Sequence, residues 1–182
     1  MVKNNFEKAT FAGGCFWCTE AIFQRLKGAA SVVSGYAGKG SQPTYEQVSS
    51  GTTDFAEAIQ IIFNPDEISY PELLDVFWAT HDPTTLNRQG ADAGAQYRSV
   101  IFYHNEGQRK EALKSMEKLD NSGKYEDNII TEILPLANFY EAEKYHQDFY
   151  NQNRSFPYCR VIIDPKIKKL YKEFGDKVNG LD

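Results

Sequence analysis

Three cysteines carry the reactive potential of this chain, and two of them stand together in Gly13-Gly14-Cys15-Phe16-Trp17-Cys18-Thr19-Glu20. Cys15 follows a short strand-like run, residues 9–12, and two glycines that permit a tight turn; it opens a helical pattern reaching to about Leu26. A thiol in that place meets the unpaired N–H groups and positive end of a helix dipole, which favour thiolate. Phe16 and Trp17 beside it are unusual for an exposed helix start unless they line something. Cys15-Phe16-Trp17-Cys18 admits a redox pair, half of a zinc site, or one reactive thiol with a bystander. Zinc needs a second pair of ligands at sensible spacing. Only Cys159 and three isolated histidines, His81, His104 and His146, remain, so no metal is expected.

An acid comes from the clearest strand, Ala56-Glu57-Ala58-Ile59-Gln60-Ile61-Ile62-Phe63. Its alternation puts Glu57 in phase with Ile59, Ile61 and Phe63, on the face that should point into the core. There, desolvation raises the carboxyl pKa and leaves a proton to donate near neutrality. The other reading starts the strand after Glu57 and leaves the side chain in solvated loop. Pattern alone does not choose between them.

The remaining elements set out what must position these groups. A strand over residues 31–36 leads to a glycine-loosened loop ending at Pro43. Thr44 and Gln47 have the spacing of a helix cap, with Tyr45 at the start of a short helix. Ser69 and Glu72 repeat that signature before an apolar stripe of Leu73, Leu74, Phe77 and Trp78. Residues 82–96 form a long polar loop that delivers Asp92, Gln96 and Tyr97 to a strand over 98–103, and loops of that length are often functional. An amphipathic helix opens at Asn105 and closes near Gly123. Beyond it come a strand over 129–134, a helix over 138–150 containing His146, and a basic terminal helix from Asp164. This order predicts an α+β fold, an α/β two-layer sandwich with a mixed sheet.

Composition narrows the class. A chain of 182 residues with 41% hydrophobic residues supports one domain with a real core. Net charge −5 with scattered Lys and Arg gives no reason for a nucleic-acid partner. No apolar run approaches the ~18 residues of a membrane helix, and Met1 to Glu7 lacks a signal-peptide core. A cytoplasmic location is expected, where three cysteines are free, catalytic or metal-bound rather than a disulfide scaffold.

One thiol inclined to ionise, an aromatic wall, a buried acid and further thiols together suit the reduction of a polar oxygen on an otherwise apolar sulfur. The thiolate attacks, the acid protonates the departing oxygen, and a second thiol condenses with the resulting sulfenic acid. A generic dithiol oxidoreductase using Cys15 and Cys18, and a non-enzymatic module binding Met-rich or oxidised peptides, stand beside it.

Gly-Cys-Phe-Trp followed by Glu20, Gly35-Tyr36-Ala37-Gly38, Pro43-Thr44-Tyr45, Ala56-Glu57-Ala58, His81-Asp82-Pro83, and Arg88-Gln89-Gly90-Ala91-Asp92 through Gln96-Tyr97-Arg98-Ser99 resemble, in order, peptide methionine sulfoxide reductase of type A. The resemblance runs from about Thr10 to Cys159. It implies a two-layer sandwich with a ferredoxin-like core, a single catalytic domain over 1–182, with 138–182 as a C-terminal extension packed on that core. It also implies reduction of methionine S-sulfoxide, free or in proteins, with no bound cofactor and thioredoxin as external dithiol reductant. A monomer is expected. The family's nucleophile falls on Cys15, its methyl-holding rings on Phe16 and Trp17, and its proton donor on Glu57. The tyrosines that bond the sulfoxide oxygen fall on Tyr45 and Tyr97, the orienting aspartate on Asp92, and the resolving thiol on Cys159. Two departures stand out: Phe55 occupies the place of a frequent His, and Cys18 that of a frequent Gly. Cys159, on a flexible-looking approach, is preferred as resolving thiol; Cys18, three residues on in the same helical turn, is a direct resolver or a relay.

Overall fold

Strand-period runs pair into one six-stranded sheet in a computed structural model that describes residues 5–180. Its strands are β1 (Glu7–Gly13), β2 (Ala29–Gly38), β3 (Ala56–Phe63), β6 (Ser99–Tyr103), β7 (Glu132–Pro135) and β8 (Asn138–Glu141), lying side by side as β7-β6-β1-β3-β2-β8. The two short strands β4 (Arg88–Gln89) and β5 (Asp92–Ala93) pair apart from it within the long loop. Neighbours in the main sheet are antiparallel except β6 and β7, which run parallel. The sheet is therefore mixed, and with its helices the chain has the expected α+β class. The first four residues of the Met1 to Glu7 stretch lie outside the described residues.

The helices are α1 (Phe16–Phe23), α2 (Tyr45–Ser49), α3 (Tyr70–Thr80), α4 (Glu106–Asn121), α5 (Phe149–Gln152) and α6 (Asp164–Glu173). Both capping signatures form as reciprocal boxes, Thr44 with Gln47 and Ser69 with Glu72. Ile59, Ile61 and Phe63 of β3 join Phe11 of β1 in burying the apolar stripes of α1 and α3, among them Phe23, Leu73, Leu74 and Phe77. A second cluster gathers Ala12, Ala37, Ala56, Ala58, Val100 and Phe102. Among the described residues no helix is long and apolar enough to cross a membrane.

Three stretches differ from the sequence reading. The first helix stops at Phe23, and Leu26 turns aside to bridge Val178. The strand expected from Ile129 begins at Glu132, because the Ile130 N–H donates to the Pro83 carbonyl at 2.9 Å rather than to a ladder. Residues 138–150 are not one helix. Phe139 and Tyr140 pair with Ala37 and Tyr36 along the free edge of β2, and Asp148 takes a left-handed φ of 54° before α5. An open sheet edge offers a full row of partners to a short alternating segment, and that outweighs weak helical propensity.

This topology brings the chemistry to one end of the sheet. Glu57, the second residue of β3, stands directly opposite Tyr36 of β2, while β1 ends at Gly13 beside Ser99. Gly14 then turns the chain at φ +95°, and the Gln89 side chain lies across it, held by two 3.0 Å bonds to the Asp82 backbone. A Cβ at position 14 would stand 2.6 Å from Gln89 Cγ. We therefore expect Gly14→Ala to lose about 1–3 kcal/mol through left-handed strain and this overlap. Thermal unfolding should show a melting temperature lower by roughly 3–10 °C; an unchanged value would contradict the tight turn.

Candidate active site

Cys15 is the N-cap of α1, with φ −57° and ψ 125°, so its side chain leaves the backbone from a non-helical residue. Cys15 and Cys18 lie in one apolar cluster, and each sulfur displaces the other's titration. The Cys18 sulfur also lies 3.6 Å from the Tyr158 hydroxyl, which donates to Asp92 Oδ2 at 2.6 Å. The first amide of the helix does not face the thiol. The Phe16 N–H instead donates to Glu57 Oε2 at 3.0 Å.

Aromatic rings wall this end of α1. Phe16 is buried, its ring 5.8 Å from Tyr36 and 4.9 Å from His146. Trp17 stacks on Phe149 at 3.7 Å and an interplanar angle of 6°, and its indole N–H donates to His146 Nδ1 at 3.1 Å. Accepting on Nδ1, a neutral His146 carries its proton on Nε2. The Tyr45 ring is 4.6 Å from the same imidazole. Tyr97, in a short 3₁₀ turn Ala95–Tyr97, has its phenol pushed up, first by burial and then by Glu57, Cys15, Asp92 and Tyr45. Tyr97 packs against the apolar cluster that holds Cys15, and Glu57 acts on the Cys15 thiol as well.

Sequence reasoning missed two members of this cluster. His146 stands alone in sequence, and its bond to Trp17 spans 129 positions. Tyr158 was visible only as the neighbour of Cys159. No local spacing signals either one, since each is brought in by the turns after β8.

Burial sets the electrostatics. Glu57 is 3% exposed, and its carboxyl is raised to about 8, by desolvation first and then by Asp92 and Cys18, against the Phe16 amide. It holds a proton at neutral pH. Desolvation, the Cys18 sulfur and Glu57 also push the Cys15 thiol up, contrary to the expected helix-terminus activation. The Cys15 thiol first, and then the charge of Lys166, draw Cys18 down to about 7 despite its burial. The pair therefore shares its protons, losing the first near neutrality.

Cys159 is not on a flexible approach. It is fully buried at the start of a π-helical turn, Cys159–Ile163, that runs into α6, and it shares an apolar cluster with Cys15, Cys18 and Ala21. Burial, then Asp164 and Cys18, push its thiol up. Phe55 is buried against Tyr140, 5.8 Å between rings, so its place serves packing. His81 bonds Ser99 Oγ at 2.8 Å and the Phe77 carbonyl at 2.6 Å; burial lowers it to about 4 and keeps it neutral. Among the described residues no group of three or more His, Cys, Asp or Glu is arranged to hold a metal ion.

A raised carboxyl has a cost in stability. Between pH 4.5 and about 8 the folded chain keeps a proton on Glu57 that the unfolded chain has lost, so its contribution falls as pH rises through that window. Glu57→Gln should thus melt above the parent at pH above about 8, by at least ~1 kcal/mol or about 2–4 °C. The gap should close near pH 4.5. Scanning calorimetry at the two pH values checks this, and equal stabilities throughout would mean that the carboxyl ionises normally.

The family profile described as peptide methionine sulfoxide reductase matches residues 7–178. A Rhodopirellula baltica protein named peptide methionine sulfoxide reductase MsrA 1 is 54% identical over 175 residues, 96% of this chain and 90% of that one. The crystal structure of Mxr1 from Saccharomyces cerevisiae in reduced form is 38% identical, with a TM-score of 0.77 over 85% of this chain and 89% of that one. Mxr1 in complex with Trx2 gives 32% identity and a TM-score of 0.55 over 79% and 84%.

Proposed function

Because the chain belongs to the peptide methionine sulfoxide reductase family, we propose that the groups around α1 carry that reaction, with Cys15 as nucleophile and Glu57 as proton donor. The enzyme reduces methionine S-sulfoxide, free or in proteins, to methionine by a thiol-dependent reaction. The observation that carries the residue assignment is Glu57. It is a buried carboxyl, protonated at neutral pH and bonded to the amide adjacent to the nucleophile.

The substrate methyl group sits between Phe16 and Trp17, and the hydroxyls of Tyr45 and Tyr97 bond the sulfoxide oxygen. Asp92, tied to Tyr158, orients substrate and water. When the substrate enters, the proton shared by the two sulfurs passes to Cys18, and the Cys15 thiolate attacks the sulfoxide sulfur. Glu57 gives its proton to the oxygen. The hydroxyl then moves to the Cys15 sulfur as the S–O bond and the new sulfur–sulfur bond both break, an electron pair stays on the departing methionine thioether, and Cys15 is left as sulfenic acid. A second thiol then displaces that oxygen as water and forms a disulfide. The place of Cys18 one turn on from the N-cap Cys15, in the same apolar cluster, supports it as this first partner; Cys159 then attacks the Cys18 sulfur, frees Cys15 as a thiol and takes over the disulfide.

Thioredoxin serves as the external dithiol reductant, a reading supported by the Mxr1 complex with Trx2, and no cofactor is bound. We place the enzyme in the cytoplasm, whose reducing poise suits thiols that must be free between turnovers. It acts as a monomer, as one catalytic domain over 1–182 with 138–182 as the extension that completes the site.

Three variants test the roles. Cys15→Ser should abolish formation of methionine from the S-sulfoxide while the fold stays intact, and retention of even about a tenth of the turnover contradicts the assignment. Glu57→Gln should lower the rate of sulfoxide reduction ~10²–10⁴-fold at neutral pH. With one limiting equivalent of substrate, Cys159→Ser should still form an intramolecular disulfide at the parent rate, whereas Cys18→Ser should slow it. The reverse pattern makes Cys159 the first partner.

A further inference from the structure

The walls of the pocket come from separate parts of the chain, yet three of them converge on one side chain that the chemistry above leaves unused. Glu143 lies in the turn after β8, and its carboxyl is bonded at both oxygens. Oε1 accepts the Tyr45 N–H at 2.9 Å, and Oε2 accepts the Tyr36 O–H at 2.7 Å. Tyr36 is the ring behind Phe16. The imidazole Nε2 of His146 is 4.0 Å from Oε2, and it is buried with no hydrogen-bond partner. Since Nδ1 accepts from Trp17, that Nε2 carries the proton, and the carboxylate is the negative group it faces.

The turn is itself anchored. Gln147 takes the Ser34 N–H at 3.0 Å on its side-chain oxygen, and its amide nitrogen donates to the carbonyls of Ser34 and Ala142 at 2.8 and 3.0 Å. The Ala142 N–H also donates to the Ser34 carbonyl at 2.9 Å. Glu143 therefore projects from a frame fixed to β2 and reaches α2, β2 and the Trp17–His146 pair at once. An ionised carboxylate, with two acceptor oxygens and no proton of its own, takes the Tyr36 and Tyr45 donors and faces the His146 N–H.

We propose that Glu143 is a positioning residue of the sulfoxide reduction, setting the spacing of the substrate pocket by holding Tyr45, the Tyr36 support of Phe16 and, through His146, Trp17. The inference rests on the assignment of Phe16, Trp17 and Tyr45 to substrate. A purely structural tie between the turn and α2 would stabilise the fold without acting through those residues. The two differ in whether the loss on mutation depends on Tyr45.

Glu143→Gln keeps the shape but leaves one acceptor oxygen for the Tyr36 and Tyr45 donors. Steady-state kinetics with free methionine S-sulfoxide and dithiothreitol should show KM raised about tenfold or more, the scale of one lost bond to a charged group, with kcat changed much less. The decisive comparison is a double-mutant cycle with Tyr45→Phe. In that background the loss in kcat/KM from Glu143→Gln should shrink by about threefold or more, because part of its effect runs through the position of the Tyr45 hydroxyl, which the bond to the Tyr45 N–H sets. Glu143→Asp, which keeps the charge but cannot span both donors, should show the same coupling and guards against a Gln variant that folds poorly. An unchanged KM, or an equal loss in both backgrounds, overturns the positioning role. A Tyr45→Phe variant with parent kinetics overturns the substrate assignment and this inference together, whereas additivity alone overturns only the latter.

Discussion

The hydrogen bond from the Phe16 amide to the Glu57 carboxyl joins the start of a helix to the start of a strand, and the site is arranged around it. The β3 register sets Glu57 against Tyr36, inside the sheet end where water is excluded. A carboxyl there resists ionisation. The same exclusion that stores its proton also raises the Cys15 thiol, so one cause produces both a protonated carboxyl and a thiol that resists ionisation. The second sulfur answers this constraint. Cys18 lets the pair part with a proton near neutrality without exposing either thiol to solvent.

A second dependency runs the other way along the chain. Cys15, Phe16 and Trp17 are consecutive, and beside Glu57 and Tyr36 much of their surroundings comes from the segment after residue 141. Phe149 stacks on Trp17, His146 accepts from its indole, Glu143 holds two tyrosines, and Tyr158 links Cys18 to Asp92. The early motif supplies reactivity, and the late segment supplies rigidity. Such sites accept buried carboxyls and unpaired polar atoms at a cost to stability that a purely structural core avoids. The orphaned His146 Nε2 is one example.

The legibility of the sequence follows this division. Pattern alone leaves Glu57 between core face and loop, and its pairing opposite Tyr36 sets it in the strand. Both capping boxes and the sheet class depend on local patterns, and local patterns survive in one dimension. The extended conformation of Asn138–Glu141 does not, because it is selected by an open edge of β2 about a hundred positions earlier. His146, Tyr158 and Glu143 were hidden for the same reason: each acts through a partner far away in sequence. The thiol electrostatics misled in a different manner. A helix N-terminus does favour an anion, but here its first amide is already taken by Glu57, and desolvation is the larger effect.

The central claim is that Glu57 carries its proton at neutral pH beside the thiols. A pH titration of the Glu57 carboxyl carbon by NMR, with ¹³C-labelled glutamate and Glu57→Gln to identify the resonance, measures this directly. The account predicts a midpoint near 8, and a midpoint near the ordinary 4.5 would contradict it.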